Sequence, residues 1–349
     1  MAVVSFRKQD AGIEAFLMSI NSPWSYRKRR WYDNLIFEST RDRKNKEEKD
    51  LRIAYFPTAS FFPDSQSAHV SDAEKYFSIY DAEFTAIDTS WCFFFFRNDF
   101  IKKSLDNFND YLAPHQETVD KDTEIKKFYE YEQKLRDLIG KDSLLEKNVL
   151  NVLNNPCLDG FFDLEKLSSA ISFFNDYSQK AEQPFLEKFN RNVSEISEAD
   201  IIYVGGGSPE VLMHFFLMQP KNSTGTLWHA IEEALLNGAV YAGNSAGAMI
   251  VCEEFYKDGD LESDAEKTEV APAFGLVRIG GCIPHYEGRK YEQVRILSEN
   301  TKEPVYSLPN DSLIHAVVSN GETINTFHGT KKPFCIWENK IFECATVMH

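Results

Sequence analysis

Short apolar runs alternate with amphipathic stretches at both ends of the chain, and a long helical pattern separates the two regions. Ala15–Ile20 (AFLMSI) is an apolar run ending at the turn signal Asn21-Ser22-Pro23. In the SYRKRRWYDNLIFEST that follows, Trp31, Leu35 and Phe37 fall at near-helical spacing. A charged run to Asp50 leads into the β-rich Leu51–Ala59, broken by Pro57; Asp72–Tyr80 reads as helix and Glu83–Asp88 as strand. This alternation predicts a mostly parallel sheet flanked by helices.

From Phe93 to Asn190 no convincing strand pattern occurs. Lys102–Leu112, Thr123–Leu138, Leu144–Leu153, Leu164–Ser178 and Glu182–Asn190 are the predicted helices, and Cys92–Phe96 (CFFFF) reads as a buried strand end or helix start. Alternation resumes with strand Ala199–Val204, helices Pro209–Met218 and Thr226–Asn237, and strand Ala239–Ala242. The remainder is strand-rich: Leu276–Ile283, Pro304–Leu308, Leu313–Val318, Thr323–His328 and Phe334–Trp337, with Asn320-Gly321 a hairpin turn.

Length gives this pattern a domain reading. At 349 residues the chain exceeds one ordinary domain, and setting aside residues 97–190 leaves an amount close to the ~250 residues that one α/β unit can reach. The expectation is an α/β catalytic domain from residues 1–96 and 191–349, interrupted by a helical insertion at 97–190 that is a candidate cap. Composition, 43% hydrophobic and 26% charged, is that of a chain with a real core. The net charge of −16 argues against a nucleic-acid partner, although residues 1–52 hold 12 Lys/Arg against 8 Asp/Glu. No apolar run spans a membrane, no secretory signal is read, and six scattered cysteines suit a reducing, cytoplasmic setting. The cysteines show no metal-ligand spacing, so no metal and no cofactor is expected.

Gly243-Asn244-Ser245-Ala246-Gly247-Ala248 follows a predicted strand and opens a predicted helix, the context in which G-x-S-x-G presents a nucleophile. The bland reading is a small-residue turn closing a βα unit. Val204-Gly205-Gly206-Gly207-Ser208-Pro209, at another strand end, lets backbone approach an oxyanion; the phosphate-loop pattern with its Lys is missing. His285, in Ile283-Pro284-His285-Tyr286, stands out among eight histidines by its place at a strand end, where it could serve a serine nucleophile as base. An α/β-hydrolase esterase would want its acid before the histidine, at Asp258, Asp260 or Asp264, but lacks an HGG-type loop here.

In their order and spacing, Tyr203–Ser208, Tyr241–Ala248 and Pro284-His285-Tyr286 resemble the aspartyl dipeptidase (peptidase E) and cyanophycinase family of serine peptidases. AFLMSINSPWSYRKRRWYDNLI and LRIAYFPTAS resemble that family's first strand and helix and its second strand. The resemblance covers roughly residues 13–90 and 196–330 and leaves the middle unmatched. It implies an α/β fold of class I glutamine amidotransferase-like type and a serine hydrolase acting on small peptides. Ser245 would be the nucleophile and His285 the base, with Gly207 and Ala246 lending oxyanion-hole N–H groups. The family's acid, a Glu in L-P-E, falls at Leu308-Pro309-Asn310-Asp311, so Asn310 or Asp311 would orient the histidine. Ser208, Asn244, Arg289 and Tyr291 are the candidate substrate contacts; Tyr291 stands where aspartyl dipeptidases carry a substrate-binding Arg. A binding protein with weak or no turnover is the alternative, and homo-oligomer formation is left open.

Overall fold

The computed structural model describes residues 12–20, 26–47, 50–57, 63–89, 91, 98, 101–102, 164–220, 223, 225–257, 270–329 and 331–347. The predicted helices between 103 and 163, all of Cys92–Phe96, and Asp258, Asp260 and Asp264 lie outside them. Contacts divide the chain into one unit of Met1–Thr89 with Asn190–His349 and another of Ser90–Phe189.

The first unit is built on an eight-stranded mixed sheet. Strand β1 (Ile13–Ser19) is buried along its whole length, as a strand covered on both faces requires. It pairs in parallel with β5 (Val240–Asn244), which continues through β4 (Ile201–Val204) and β2 (Arg52–Phe56) to β3 (Glu83–Ala86). On its other side β1 pairs antiparallel with β10 (Ser312–Ser319), which forms a hairpin with β11 (Glu322–Gly329). Asn320 and Gly321 turn that hairpin at φ 52° and 76°, so the expected turn is present. The antiparallel hairpin makes the sheet mixed, though β1, β5, β4, β2 and β3 run parallel to one another, as expected of a mostly parallel sheet. A short β14 (Thr346–Val347) closes its edge.

Helices α1 (Tyr26–Lys44) and α2 (Pro63–Phe77) cover this sheet with buried Tyr32, Ile36, Phe37, Ala73, Tyr76 and Phe77, packed with Phe16, Tyr55 and Tyr203. Helix α3 (Leu164–Ser197) is one continuous element where two helices were expected. Pro184 lies inside it, which forfeits one main-chain hydrogen bond, but buried Ala170, Phe174, Phe189 and Ile196 mark an apolar stripe that persists on both sides of the proline. Helices α4 (Pro209–Leu217), α5 (Leu227–Leu236) and the short α6 (Ala246–Met249) follow. Among the described residues no helix is long and apolar enough to cross a membrane.

A second, four-stranded sheet carries the histidine. Strands β8 (Gly281–Tyr286) and β9 (Val305–Pro309) run parallel, joined by α7 (Tyr291–Asn300), and β12 (Phe334–Trp337) and β13 (Lys340–Glu343) complete it. Ile283, Val294, Leu297, Val305 and Ile336 form its core. The remaining strands, β6 (Glu254–Tyr256) and β7 (Val270–Pro272), make a separate antiparallel pair.

Candidate active site

Ser245 sits where β5 becomes α6, and its backbone is in a strained left-handed conformation, φ 55° and ψ −115°. Such a conformation in a non-glycine residue costs about 1–3 kcal/mol and persists only where neighbouring contacts impose it. Here the Ser245 N–H donates to the Met18 carbonyl at 2.9 Å, while its own carbonyl accepts from Ala248 and Met249 at 2.9 and 3.2 Å. The flanking glycines make the turn sterically feasible. A Cβ on Gly243 would lie 2.4 Å from the Gly247 carbonyl oxygen, and one on Gly247 would lie 2.6 Å from the Val204 oxygen. The buried Tyr241 hydroxyl clamps the same turn by donating to the Gly247 carbonyl at 2.8 Å.

The glycine loop after β4 runs alongside this serine. A Cβ on Gly206 would stand 3.1 Å from Ser245 Cβ and 3.5 Å from its Oγ. Gly207 follows at φ 121°, a conformation suited to glycine. The Ala246 N–H is among the first N–H groups of α6, which have no partner within the helix. Two main-chain stretches thus converge on one hydroxyl.

His285 is presented by a bulge. Pro284 pairs with Leu308 and Tyr286 with Pro309, so His285 is skipped in the β8–β9 ladder and adopts φ 53°. Its backbone N–H donates instead to Ser19 Oγ at 2.7 Å, and its ring Nδ1 lies 2.8 Å from Asn310 Oδ1 and 3.5 Å from Ser19 Oγ. Burial lowers the His285 pKa from its ordinary value of 6.5, the Asn310 contact opposes this, and the Lys290 charge adds to the lowering. The ring is therefore neutral near pH 7, with Nε2 as the nitrogen left for a proton. Helix α6 packs against both β1 and β8, which brings the elements of Ser245 and His285 together. Among the described residues no hydrogen bond joins the Ser245 hydroxyl to the His285 ring.

Residues 172–325 match peptidase family S51. That stretch is a little under half of the chain. The S51 stretch contains Gly206, Gly207, Ser245, His285 and Asn310, and leaves Ser19 outside. A Bacillus subtilis (strain 168) protein named as an uncharacterized peptidase, YgaJ, is 36% identical over 104 residues, which take in 28% of this chain and 37% of that protein. The alignment therefore spans little more than a third of that relative. Among solved structures, a peptidase from an acI-B1 Actinobacterium aligns over 96% of this chain and 99% of its own, at 12% identity and a TM-score of 0.44. A putative peptidase E protein from Listeria monocytogenes EGD-e aligns over 90% and 98%, at 15% identity and a TM-score of 0.42.

Other expected residues in the S51 stretch take varied positions. Asp311, at φ 59°, donates its N–H to the Ser19 carbonyl at 2.8 Å and accepts the Tyr32 hydroxyl on its own carbonyl at 2.5 Å. Burial pushes the Tyr32 hydroxyl up to about 12, with the Asp311 charge adding to it. Asn244 is turned inward: its Oδ1 accepts the Ile20 N–H at 3.0 Å and its Nδ2 donates to the Ile20 carbonyl at 3.5 Å. Ser208 caps α4, accepting from the Val211 N–H at 3.4 Å and donating to Glu210 Oε2 at 2.7 Å. Tyr291 is 38% exposed at the start of α7, its ring 6.0 Å from that of Phe334. Arg289 lies in the short 3-10 turn Gly288–Lys290, and its side chain is outside the described residues. Neighbouring Lys290 donates to the Pro284 carbonyl at 3.2 Å, beside the histidine.

Sequence reasoning missed Ser19 and Tyr32. Ser19 lies inside the apolar run Ala15–Ile20 and Tyr32 sits on an amphipathic helix, so neither carries a motif. A small polar residue at the very end of a fully buried strand was the one available signal.

Proposed function

We propose that this protein is a serine peptidase that cleaves short peptides through an acyl-enzyme on Ser245. The observation that carries this reading is the left-handed Ser245 at a strand-to-helix turn, inside the S51 stretch and beside the glycine loop. In the reaction, Ser245 Oγ attacks the peptide carbonyl carbon while His285 Nε2 takes its proton. The negative charge formed on the carbonyl oxygen is met by the N–H groups of Gly207 and Ala246. Collapse breaks the C–N bond, with His285 returning its proton to the leaving amine. Water then attacks the ester, again losing a proton to His285, and the acid product departs with the serine restored. On the same reading, the parallel half of the sheet with its nucleophile turn after β5 is a class I glutamine amidotransferase-like arrangement.

A fluorophosphonate probe combined with a dipeptide panel tests the assignment. Wild-type protein labels and turns over peptides, and Ser245→Ala does neither; labelling that persists in Ser245→Ala sinks it. One observation favours a second reading, a binding protein of weak turnover: the histidine's partner is an amide, Asn310, and not a carboxylate. Peptide binding without release of product amine would support that reading.

A further inference from the structure

We infer that Ser19 is a positioning residue for His285, holding the imidazole in place through the main-chain N–H that the β8 bulge releases. The inference rests on His285 being the base for Ser245. A strand residue skipped by its ladder loses its N–H partner, and a buried N–H without one is costly. The Ser19 hydroxyl is the replacement, accepting that N–H at 2.7 Å.

Three further observations point the same way. Ser19 is fully buried, at 0% exposure between Met18 and Ile20, so its hydroxyl must be satisfied inside the protein. Its Oγ also lies 3.5 Å from Nδ1, on the side of the ring that Asn310 engages. Its carbonyl accepts the N–H of Asp311, the residue next to Asn310. One residue of β1 therefore ties down both the histidine and the segment that orients it.

The amide at Asn310 gives this arrangement its weight. A carboxylate would hold an imidazolium by charge and impose an N–H at Nδ1. An amide can present either its oxygen or its nitrogen, so it constrains the ring less. Placement of the ring then depends more heavily on the backbone grip, and Ser19 supplies that grip. The residue lies outside the stretch that matches family S51.

The test measures fluorophosphonate labelling rates of the full chain from pH 5 to 9, for wild type, Ser19→Ala, Ser19→Thr, His285→Ala and Ser245→Ala, with melting temperatures alongside. Ser19→Ala is expected to slow labelling by about 10- to 100-fold, the scale of a displaced catalytic group. Its pH midpoint should move down, because an acceptor beside Nδ1 has gone, and Ser19→Thr should recover much of the rate. Should Ser19→Ala fail to fold, Ser19→Cys, which keeps a weaker acceptor, is expected to show the same shift at smaller size. Wild-type rate and midpoint in Ser19→Ala overturn the inference. So does a loss that tracks melting temperature with an unchanged midpoint. If His285→Ala labels as wild type does, the base assignment itself has failed, a result distinct from either.

Discussion

Asn310 Oδ1 lies 2.8 Å from Nδ1 of His285, in the place where a serine-histidine pair ordinarily has a carboxylate. On the proposed mechanism, an amide there orients the ring but adds no charge to offset the imidazolium that would form during proton transfer. Asn310→Asp is therefore expected to raise the rate of Ser245 labelling by at least ~10-fold and to move its pH midpoint upward. Asn310→Ala should slow it. Stopped-flow or gel-based labelling across pH measures both, and an Asp variant slower than wild type contradicts the orienting role.

With His285 as the proposed base, its lowered pKa is expected to set the acid limb of Ser245 labelling. Burial and Lys290 both disfavour the imidazolium, so the neutral base persists below pH 6.5. The unfolded chain binds a proton near 6.5 that the folded chain refuses, so stability falls as pH drops through that value. His285→Gln should remove this part of the acid destabilisation while abolishing labelling. Denaturant midpoints between pH 5 and 8 report the first effect.

Gly206 faces Ser245, Gly243 faces the Gly247 carbonyl, and Gly247 faces Val204. Gly206→Ala would place a methyl 3.1 Å from Ser245 Cβ, tight but with a side chain as the neighbour, so the protein should fold and label at least ~10-fold more slowly. Gly243→Ala and Gly247→Ala meet main-chain oxygen at 2.4 and 2.6 Å, which cannot give way cheaply. They should destabilise the fold by more than ~2 kcal/mol, read as lost soluble expression or a lowered melting point.

At the opposite end of β1, Glu14 accepts hydrogen bonds at 2.5 Å from both Ser39 Oγ and His315 Nε2. Burial raises its pKa, but these two bonds and the charges of His315 and Arg43 outweigh that and leave it lowered. A carboxyl with a depressed folded pKa stabilises the protein above the ordinary value of 4.5 and loses that contribution as pH falls. Glu14→Gln should flatten the acid limb of the stability curve below pH 5, with little effect on Ser245 labelling. An unchanged acid limb would count against the pairing.

Much of this architecture was legible along the chain because its causes are local. The apolar run Ala15–Ile20, whose first five residues lie in β1, the glycines two residues either side of Ser245 and the Asn320-Gly321 hairpin turn each reflect constraints among near neighbours. The merging of two expected helices into α3 was not legible, since a proline reads as a stop unless the stripe on both sides is known to be buried. The direction of β10 and β11 was not legible for a similar reason: both have strand patterns, but their antiparallel course beside β1 is set by pairing.

By itself, the sequence determined the chemistry on offer: a serine at a sharp strand-to-helix turn, a second glycine loop, and a histidine at a strand end. Only the tertiary structure decided which groups meet. Asn310 and Asp311 are adjacent in the chain, and it is the bulge at His285 that turns Nδ1 toward the amide. The hydroxyl that secures that bulge comes from Ser19, 266 residues away. A turn's sterics are written in consecutive residues, whereas a bulge's released N–H is satisfied by whatever the packed sheets bring beside it.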